Sequence, residues 1–431
     1  MAVLDIPEIP GNRLPPSVEA QLRYQVKSIL NLSNTSFPGS QPISFERKHI
    51  AERLLQHDYF LCEKSDGLRC LMLLLYEPSL HEEGCFFITR TNEYYRVLFP
   101  QLHFPLEPND PNTFHNGTII DGELVLDNDK NLKYLIFDCL AINGVNLCLK
   151  PFNKRLGRIQ ENIIKPFNKF KIIESKLVST YPFHISLKNF FLGDQISITF
   201  DLMKKLNHKS DGLIFTCCNS PYIQNTDKTL LKWKPAEENS IDFKIQLDFN
   251  KYIDPDITDP NDPNHEYIDY DSKPSINLLI CYEKFGTLSI TDEEWESLKS
   301  LNEPLNGRIV EARKNKNDTW TMLRFRDDKV NGNHVSVVTK ILGSINDGVS
   351  KQELISNQEE IRFKRKEREA KRRLHPQQVH PPGAHPVGTH PPPRSIQVQK
   401  RPASLIEKAE KVIPTYEEDS DESDNKRQKT S

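Results

Sequence analysis

The chain has 431 residues, 37% of them apolar, and a formal charge of −3 from 57 basic and 60 acidic side chains. That length exceeds one ordinary core and points to two or three domains, while the low apolar fraction assigns part of the chain to a tail. Near-neutrality excludes a molecule that grips a polyanion by overall charge, so any nucleic-acid surface must be a local basic patch.

In chain order, the N-terminal "MAVLDIPEIPGNRLPP" is acidic and proline-broken and lacks the apolar run of a secretory leader. Residues 16–31 read as a helix, and Ser44 is placed to cap a second one through about Leu55, with Phe45, Ile50, Leu54 and Leu55 on one face. From 59 to 140 strands dominate: "YFLCEK", "LRCLMLLLY", "GCFFITRTNEYYRVLF", "GTIIDGELVLD" and "LKYLIFDCLAI". Between the first two, Lys64-Ser65-Asp66-Gly67 reads as the polar turn of a hairpin, with Gly67 at positive φ. Helical "FNKRLGRIQENIIKPF", then "FHISLKNFF", helix-like "GDQISITFDLMKKLNH" and the strands "DGLIFTCC" and "TLLKWK" complete an antiparallel-rich α+β domain over residues 1–238.

Beyond Asn239 come "SIDFKIQLDF", an acidic proline-spaced loop, "INLLICYE", a short helix opened by the capping box Thr291 to Glu294, then "GRIVEAR" and "TWTMLRFRDD". Short strands with one helix fit a small barrel of OB type at 239–345, although other small β-folds share those signals. A C-terminal helical segment occupies 346–374, and its charged stretch 353–374 has too few apolar positions to do more than face solvent or grip a partner. The Pro/His-rich stretch from His375 and the acidic-then-basic end form a disordered tail, 375–431, whose "KRQK" is a weak nuclear address.

The eight cysteines lie in apolar runs with no CxxC and no zinc spacing, so they read as reduced, buried, small hydrophobes of an intracellular protein. No stretch reaches membrane-spanning length, and no membrane partner is expected.

Polar residues recur inside strand-like sequence at "EKSDGLR", "IDGELV", "FDCLAING", "SDGLIF" and "LLKWK", and again at "LRFRDDKVNGNH". In identity and order these six motifs resemble the covalent nucleotidyltransferase superfamily of polynucleotide ligases and mRNA capping guanylyltransferases, in particular the fungal-type guanylyltransferase. The likeness covers about residues 35–345. "FPGSQPISF", "FDCLAING", "LLKWKP" and "RFRDDKVNGNH" favour capping over ligation, as does the lack of a large domain before the lysine. An ATP-dependent RNA or DNA ligase is the alternative enzyme; a non-catalytic RNA-binding adaptor is disfavoured by intact charged residues at all six motifs.

The resemblance implies that Lys64 takes GMP from GTP and passes it to 5′-diphosphate RNA. It further implies that Arg69 and Glu123 contact the ribose, Phe137 stacks on guanine, Arg90 gives a further nucleotide contact and Lys188 reads the guanine edge. Asp211 would help position a divalent cation, Mg or Mn. Lys232 and Lys234 would hold the α-phosphate, and a mobile barrel carrying Arg324, Arg326, Asp328 and Lys329 would close over the cleft to complete the site, with Lys329 reaching the departing pyrophosphate. An amine nucleophile suits this chemistry because the phosphoramidate it forms is labile once the nitrogen is protonated. With a reference pKa near 10.4, only about one lysine in a thousand is neutral near pH 7.4, and neighbouring cations disfavour the charged form. The implied partners are an RNA 5′-triphosphatase subunit and the phosphorylated tail of the transcribing polymerase, in the nucleus.

Overall fold

The computed structural model describes residues 7–77, 80–99, 101–235, 238–259, 261–263, 265–315, 317–327, 329–374 and 399–400. Asp328 and all of the expected tail except Gln399 and Lys400 lie outside the described residues.

The helix expected at 16–31 is α1, Pro16–Leu30. The strands that follow are β1 (Ser40–Ser44), β2 (Tyr59–Ser65), β3 (Leu68–Glu77), β4 (Glu82–Thr89), β5 (Thr118–Leu126) and β6 (Leu132–Ile142). Helices α2 (Phe152–Ile159) and α3 (Lys165–Ile173) lead to β7 (His184–Leu187), β8 (Phe191–Leu192), helix α4 (Ile196–Met203), β9 (Ser210–Cys217) and β10 (Asn225–Trp233). Two sheets result. The larger runs Asn12–Arg13, Tyr94–Arg96, β4, β3, β5, β6, Val145–Asn146, with β7 parallel on β6; the smaller runs β8, β2, β9, β10, β1.

The unbroken apolar run of β3 is explained by cover on both faces. Leu71, Leu73 and Leu75 pack with Leu22, Val26 and Leu30 of α1, whereas Cys70, Met72 and Leu74 share a core with Ile159, Phe167 and Phe170 of the α2–α3 segment.

The hairpin expected around Lys64 does not form. β2 and β3 belong to different sheets, and the chain crosses between them at Asp66-Gly67. Gly67 is absent from the positive-φ positions; a Cβ there would meet the Leu124 carbonyl oxygen at 2.2 Å and Val125 Cγ1 at 2.7 Å, so the glycine answers to close packing and not to turn geometry. Ser44 also differs from expectation. It ends strand β1, and the helical turn after it is a π-helical Ile50–Leu54 that follows His49 with no side-chain cap, although Phe45, Ile50 and Leu54 are core residues as read.

The second unit is a closed barrel of β11 (Ser240–Asp248), β12 (Ser275–Ile280), β13 (Glu283–Leu288), β14 (Ile309–Lys314) and β15 (Trp320–Phe325), in the order β11-β12-β13-β15-β14. Helix α5 (Asp292–Lys299) carries both hydrogen bonds of the expected capping box. After α6 (Val335–Asn346), the C-terminal segment forms α7 (Lys351–Ser356) and α8 (Gln358–Leu374). Its grip is intramolecular: Val349, Leu354 and Ile361 are buried in the core of the smaller sheet, Arg362 and Arg365 pair with Asp194, and Arg368 and Arg372 pair with Asp58. Gln399–Lys400, in the stretch expected to be disordered, pair antiparallel with Thr113–Phe114. All eight cysteines are free, but Cys281 is exposed and not buried as expected.

Candidate active site

Alternation along paired strands assembles the site. In β10, Leu231 and Trp233 point into the core, which sends Lys232 and Lys234 to the other face. β9 pairs with β10 on one side and β2 on the other, setting Ile214 opposite Lys232 and Gly212 opposite Lys64. Gly212 is obligatory, since a Cβ there would lie 2.0 Å from the Trp233 carbonyl oxygen. Lys64 Nζ donates to Asp211 Oδ1 at 2.6 Å, and Lys234 pairs with the other oxygen of the same carboxylate. Burial, followed by the charges of Lys64, Lys234 and Arg90, depresses the Lys232 ammonium below its ordinary value. Asp211 stands between two of the three lysines, so a carboxylate as well as cations neighbours Lys64.

Across the cleft, the larger sheet supplies Arg69 from β3, Glu123 from β5 and Phe137 from β6. Phe137 is half-buried and flanked by two cations, with Arg69 Cζ and Lys188 Nζ each 5.5 Å from its ring centre. Lys188 is buried and donates to Ser65 Oγ at 2.5 Å, the Glu63 carbonyl oxygen at 3.3 Å and Glu123 Oε2 at 3.4 Å. Burial alone would lower its pKa, but Glu123, with Cys62 and Glu63, outweighs burial and holds it above the usual lysine value. Arg90 also lines the cleft, its charge disfavoured by burial and by Arg69.

The cleft has a volume of about 360 Å³ and is lined by Lys64, Arg69, Arg90, Glu123, Phe137, Lys188 and Lys232 among others; Asp211 and Lys234 adjoin it through Lys64. Arg324, Arg326 and Lys329 are not among its lining. Each is held within the barrel, Arg324 by Glu311 at 2.7 Å and Arg326 and Lys329 by Asp242.

Four residues of the cleft wall escape sequence reasoning. Asp121 receives Arg69 Nε at 3.0 Å and Nη2 at 2.7 Å, and Asp138 receives Arg155 at 2.7 and 2.8 Å. Asp121 stands two positions before Glu123 on the same strand face, so the signal that marked Glu123, a carboxylate inside a strand, applied equally to it. Asp138 follows Phe137 and offered the same clue. Arg155, in a helix, and Tyr222, in a loop, carry no such signal.

Two family models match the chain in tandem: mRNA capping enzyme, catalytic domain, over residues 5–236, and mRNA capping enzyme, C-terminal domain, over residues 238–355. Similar curated proteins are the mRNA-capping enzyme subunit alpha of Saccharomyces cerevisiae, 42% identical over 81% of this chain and 84% of that one, and its namesake from Schizosaccharomyces pombe, 39% identical over 83% and 89%. The chain belongs to the mRNA capping enzyme family. Among solved structures, mycobacterial DNA ligase D complexed with ATP and MES aligns over 68% of this chain and 95% of its own at 12% identity and a TM-score of 0.34, too slight a likeness to bear on function. In this capping-family chain the lysine cluster and the Phe137 pocket fall inside the catalytic-domain match, and Arg324, Arg326 and Lys329 inside the C-terminal one. All of α8 lies beyond both.

Proposed function

We propose that the chain is an mRNA guanylyltransferase that moves GMP from GTP, through Lys64, to the diphosphate 5′ end of nascent mRNA. One observation carries this reading. The amine of Lys64 sits in a cleft beside Asp211, Lys232 and Lys234, and the other wall of that cleft offers an aromatic ring between Arg69 and Lys188.

Phe137 stacks on guanine, and the Lys188 ammonium, on giving up one of its long contacts to the Glu63 carbonyl or to Glu123, donates to O6 or N7, where adenine would present an amino donor at its exocyclic position instead. Arg69 and Glu123 take the ribose, with Arg90 as a further nucleotide contact, and Lys232 and Lys234 take the α-phosphate. Attack needs the neutral amine with its lone pair free, so the Lys64–Asp211 bond opens first, while Lys234 keeps hold of the carboxylate. The Lys64 nitrogen, its ammonium proton released to solvent, then bonds to the α-phosphorus, the bond from that phosphorus to the β-bridging oxygen breaks, pyrophosphate leaves, and a second N–H proton passes to solvent to give the phosphoramidate. In the second step a terminal oxygen of the RNA diphosphate attacks the same phosphorus, the P–N bond breaks, and the amine regains a proton.

Asp211 is the carboxylate placed to help hold Mg or Mn. Among the described residues no three His, Cys, Asp or Glu side chains form a metal cage, which fits an ion bound mainly by substrate phosphates plus one or two carboxylates. When bound, it neutralises phosphate charge. The barrel, read as OB type, carries the expected nucleotide-site residues Arg324, Arg326, Asp328 and Lys329, and on closing it brings the three cations among them to the β- and γ-phosphates, hinged near residues 236–240 and again beyond 335. Residues 1–238, 239–345 and 346–374 are the corresponding units. A triphosphatase subunit that supplies the diphosphate RNA end and the phosphorylated polymerase tail are the protein partners, in the nucleus.

The test is incubation with α-labelled GTP, ATP, CTP and UTP in turn, with magnesium or manganese, followed by a denaturing gel. Label from GTP alone, stable at alkaline pH and released by acid, supports the reading. Label from ATP alone would make the chain a ligase-type enzyme.

A further inference from the structure

The two halves of the cleft are tied together by one phenol. Tyr222, in the loop between β9 and β10 of the smaller sheet, is buried. Its hydroxyl donates to Asp121 Oδ2 at 2.5 Å, on β5 of the larger sheet, and accepts the backbone N–H of Ser40 at 3.0 Å, where β1 begins. Burial beside Asp121 pushes the phenol well above its ordinary pKa, so it stays a donor. Asp121 spends its remaining capacity on Arg69, and Arg69 Nη1 returns to the Ser40 carbonyl oxygen. The loop is braced from its other side as well: the Arg155 guanidinium lies 5.6 Å from the Tyr222 ring centre and donates to the Ser220 carbonyl oxygen at 2.9 Å.

This closed circuit has a consequence for the nucleotide. Arg69 belongs to the sheet that holds the nucleoside, whereas β1 pairs with β10, the strand of Lys232 and Lys234. The Tyr222 hydroxyl therefore touches both frames at once. Of the five N–H groups of Arg69, Asp121 takes two, Ser40 one, and the Tyr222 oxygen receives a long contact at 3.4 Å, leaving one to face a ligand.

We propose that Tyr222 is a positioning residue: through Asp121 and Ser40 its hydroxyl fixes the spacing between the ribose-facing Arg69 and the phosphate-facing lysines. The inference rests on the guanylyltransferase reading. It separates orientation from binding, because a loosened frame still admits GTP while the α-phosphorus drifts from the line of attack. The GMP moiety is held by the same groups in both half-reactions, so both suffer.

The measurement is single-turnover kinetics on the full chain and on Tyr222→Phe: lysyl-GMP formation across GTP concentrations, then GMP transfer from purified enzyme–GMP to diphosphate RNA. The expected result is a rate constant lower by on the order of tenfold in both steps, with the GTP concentration at half-maximal rate changed less than about threefold and the labelled fraction at completion unchanged. Unchanged rates would overturn the proposal. A lower labelled fraction at full rate would reduce Tyr222 to a packing role, and a loss confined to the GTP step would place its effect at the triphosphate end; either overturns it too.

Asp121→Asn provides a second arm. It should slow both steps, and the double variant should be no slower than Asp121→Asn alone, because the hydroxyl joins the two frames only while its Asp121 end holds as well as its Ser40 end; additive losses refute the relay. Wild-type protein run alongside keeps the two readings apart. No label from any nucleotide sinks the enzymatic reading and this inference together, whereas labelled wild type with an equally fast variant sinks the inference alone.

Discussion

Lys64, Lys234 and Asp211 set two ammonium groups against one carboxylate at the floor of a cleft, with Lys232 on the next strand. Side chains 23% and 20% exposed make the Lys64–Asp211 bond neither a surface pair nor a sealed one, so it can open and close as the site fills. A nucleophile in that position must be able to shed its proton, which an amine can do and a guanidinium cannot. Lys64→Ala and Lys64→Arg should therefore both abolish transfer of label from GTP, while circular dichroism and the melting temperature stay close to wild type. Label persisting on either variant would move the nucleophile to another lysine. At this scale much of the site was legible, because charged residues inside strands have few reasons to be there: Lys64, Glu123, Asp211, Lys232 and Lys234 stood out for that reason. Tyr222 and Arg155 did not, since an aromatic in a loop and an arginine on a helix are ordinary until their partners are known.

Elements were easier to foresee than their partners. Strand-forming runs bounded by turn residues marked β2, β3, β5, β6, β9 and β10, yet such a run says nothing about which strand lies beside it. Hence the hairpin expected between β2 and β3 became a crossing between sheets. Ser44 was misread for a similar reason: an N-cap residue is only a local signal, and pairing of β1 with β10 overrides it. The helix at 358–374 shows the opposite failure, because its sequence advertises charge while Leu354, Ile361 and four arginines anchor the segment to its own chain. Burying two aliphatic side chains is worth about 3–6 kcal/mol, and loss of the arginines would also strand Asp194, whose side chain is only 2% exposed. A chain truncated at residue 375 should keep lysyl-GMP formation within a few-fold. Truncation at residue 350 should lower the melting temperature by on the order of 10 °C or leave the protein insoluble. Equal melting temperatures for the two would show that α7 and α8 add nothing to the fold.

For the whole molecule, the barrel is tethered at two points that converge on one residue. The chain leaves the catalytic sheet just after Trp233 and Lys234, and it returns through Val349, whose carbonyl oxygen accepts the Trp233 indole N–H at 2.7 Å. Two tethers meeting beside Lys232 and Lys234 place the proposed hinge there, and a barrel swinging about it would bring Arg324, Arg326 and Lys329 toward the cleft that they do not line here. Those cations are meanwhile neutralised by Glu311 and Asp242, so engaging a nucleotide means exchanging a carboxylate for a phosphate, and that exchange is favourable only while the β- and γ-phosphates are present. Arg326→Ala should consequently cripple attack on GTP far more than transfer of preformed GMP to RNA. Removing one such contact costs about 3 kcal/mol, on the order of a hundredfold in the first rate, with the second within a few-fold. Asp242 keeps Lys329 as a partner in that variant, which protects the barrel from an unpaired buried carboxylate. Single-turnover kinetics of each half-reaction, the second begun from enzyme–GMP formed slowly and purified, make the comparison. Equal losses in both steps would mean that the barrel stays on the GMP moiety or the RNA throughout, and a lid that acts only on the triphosphate would have to be abandoned.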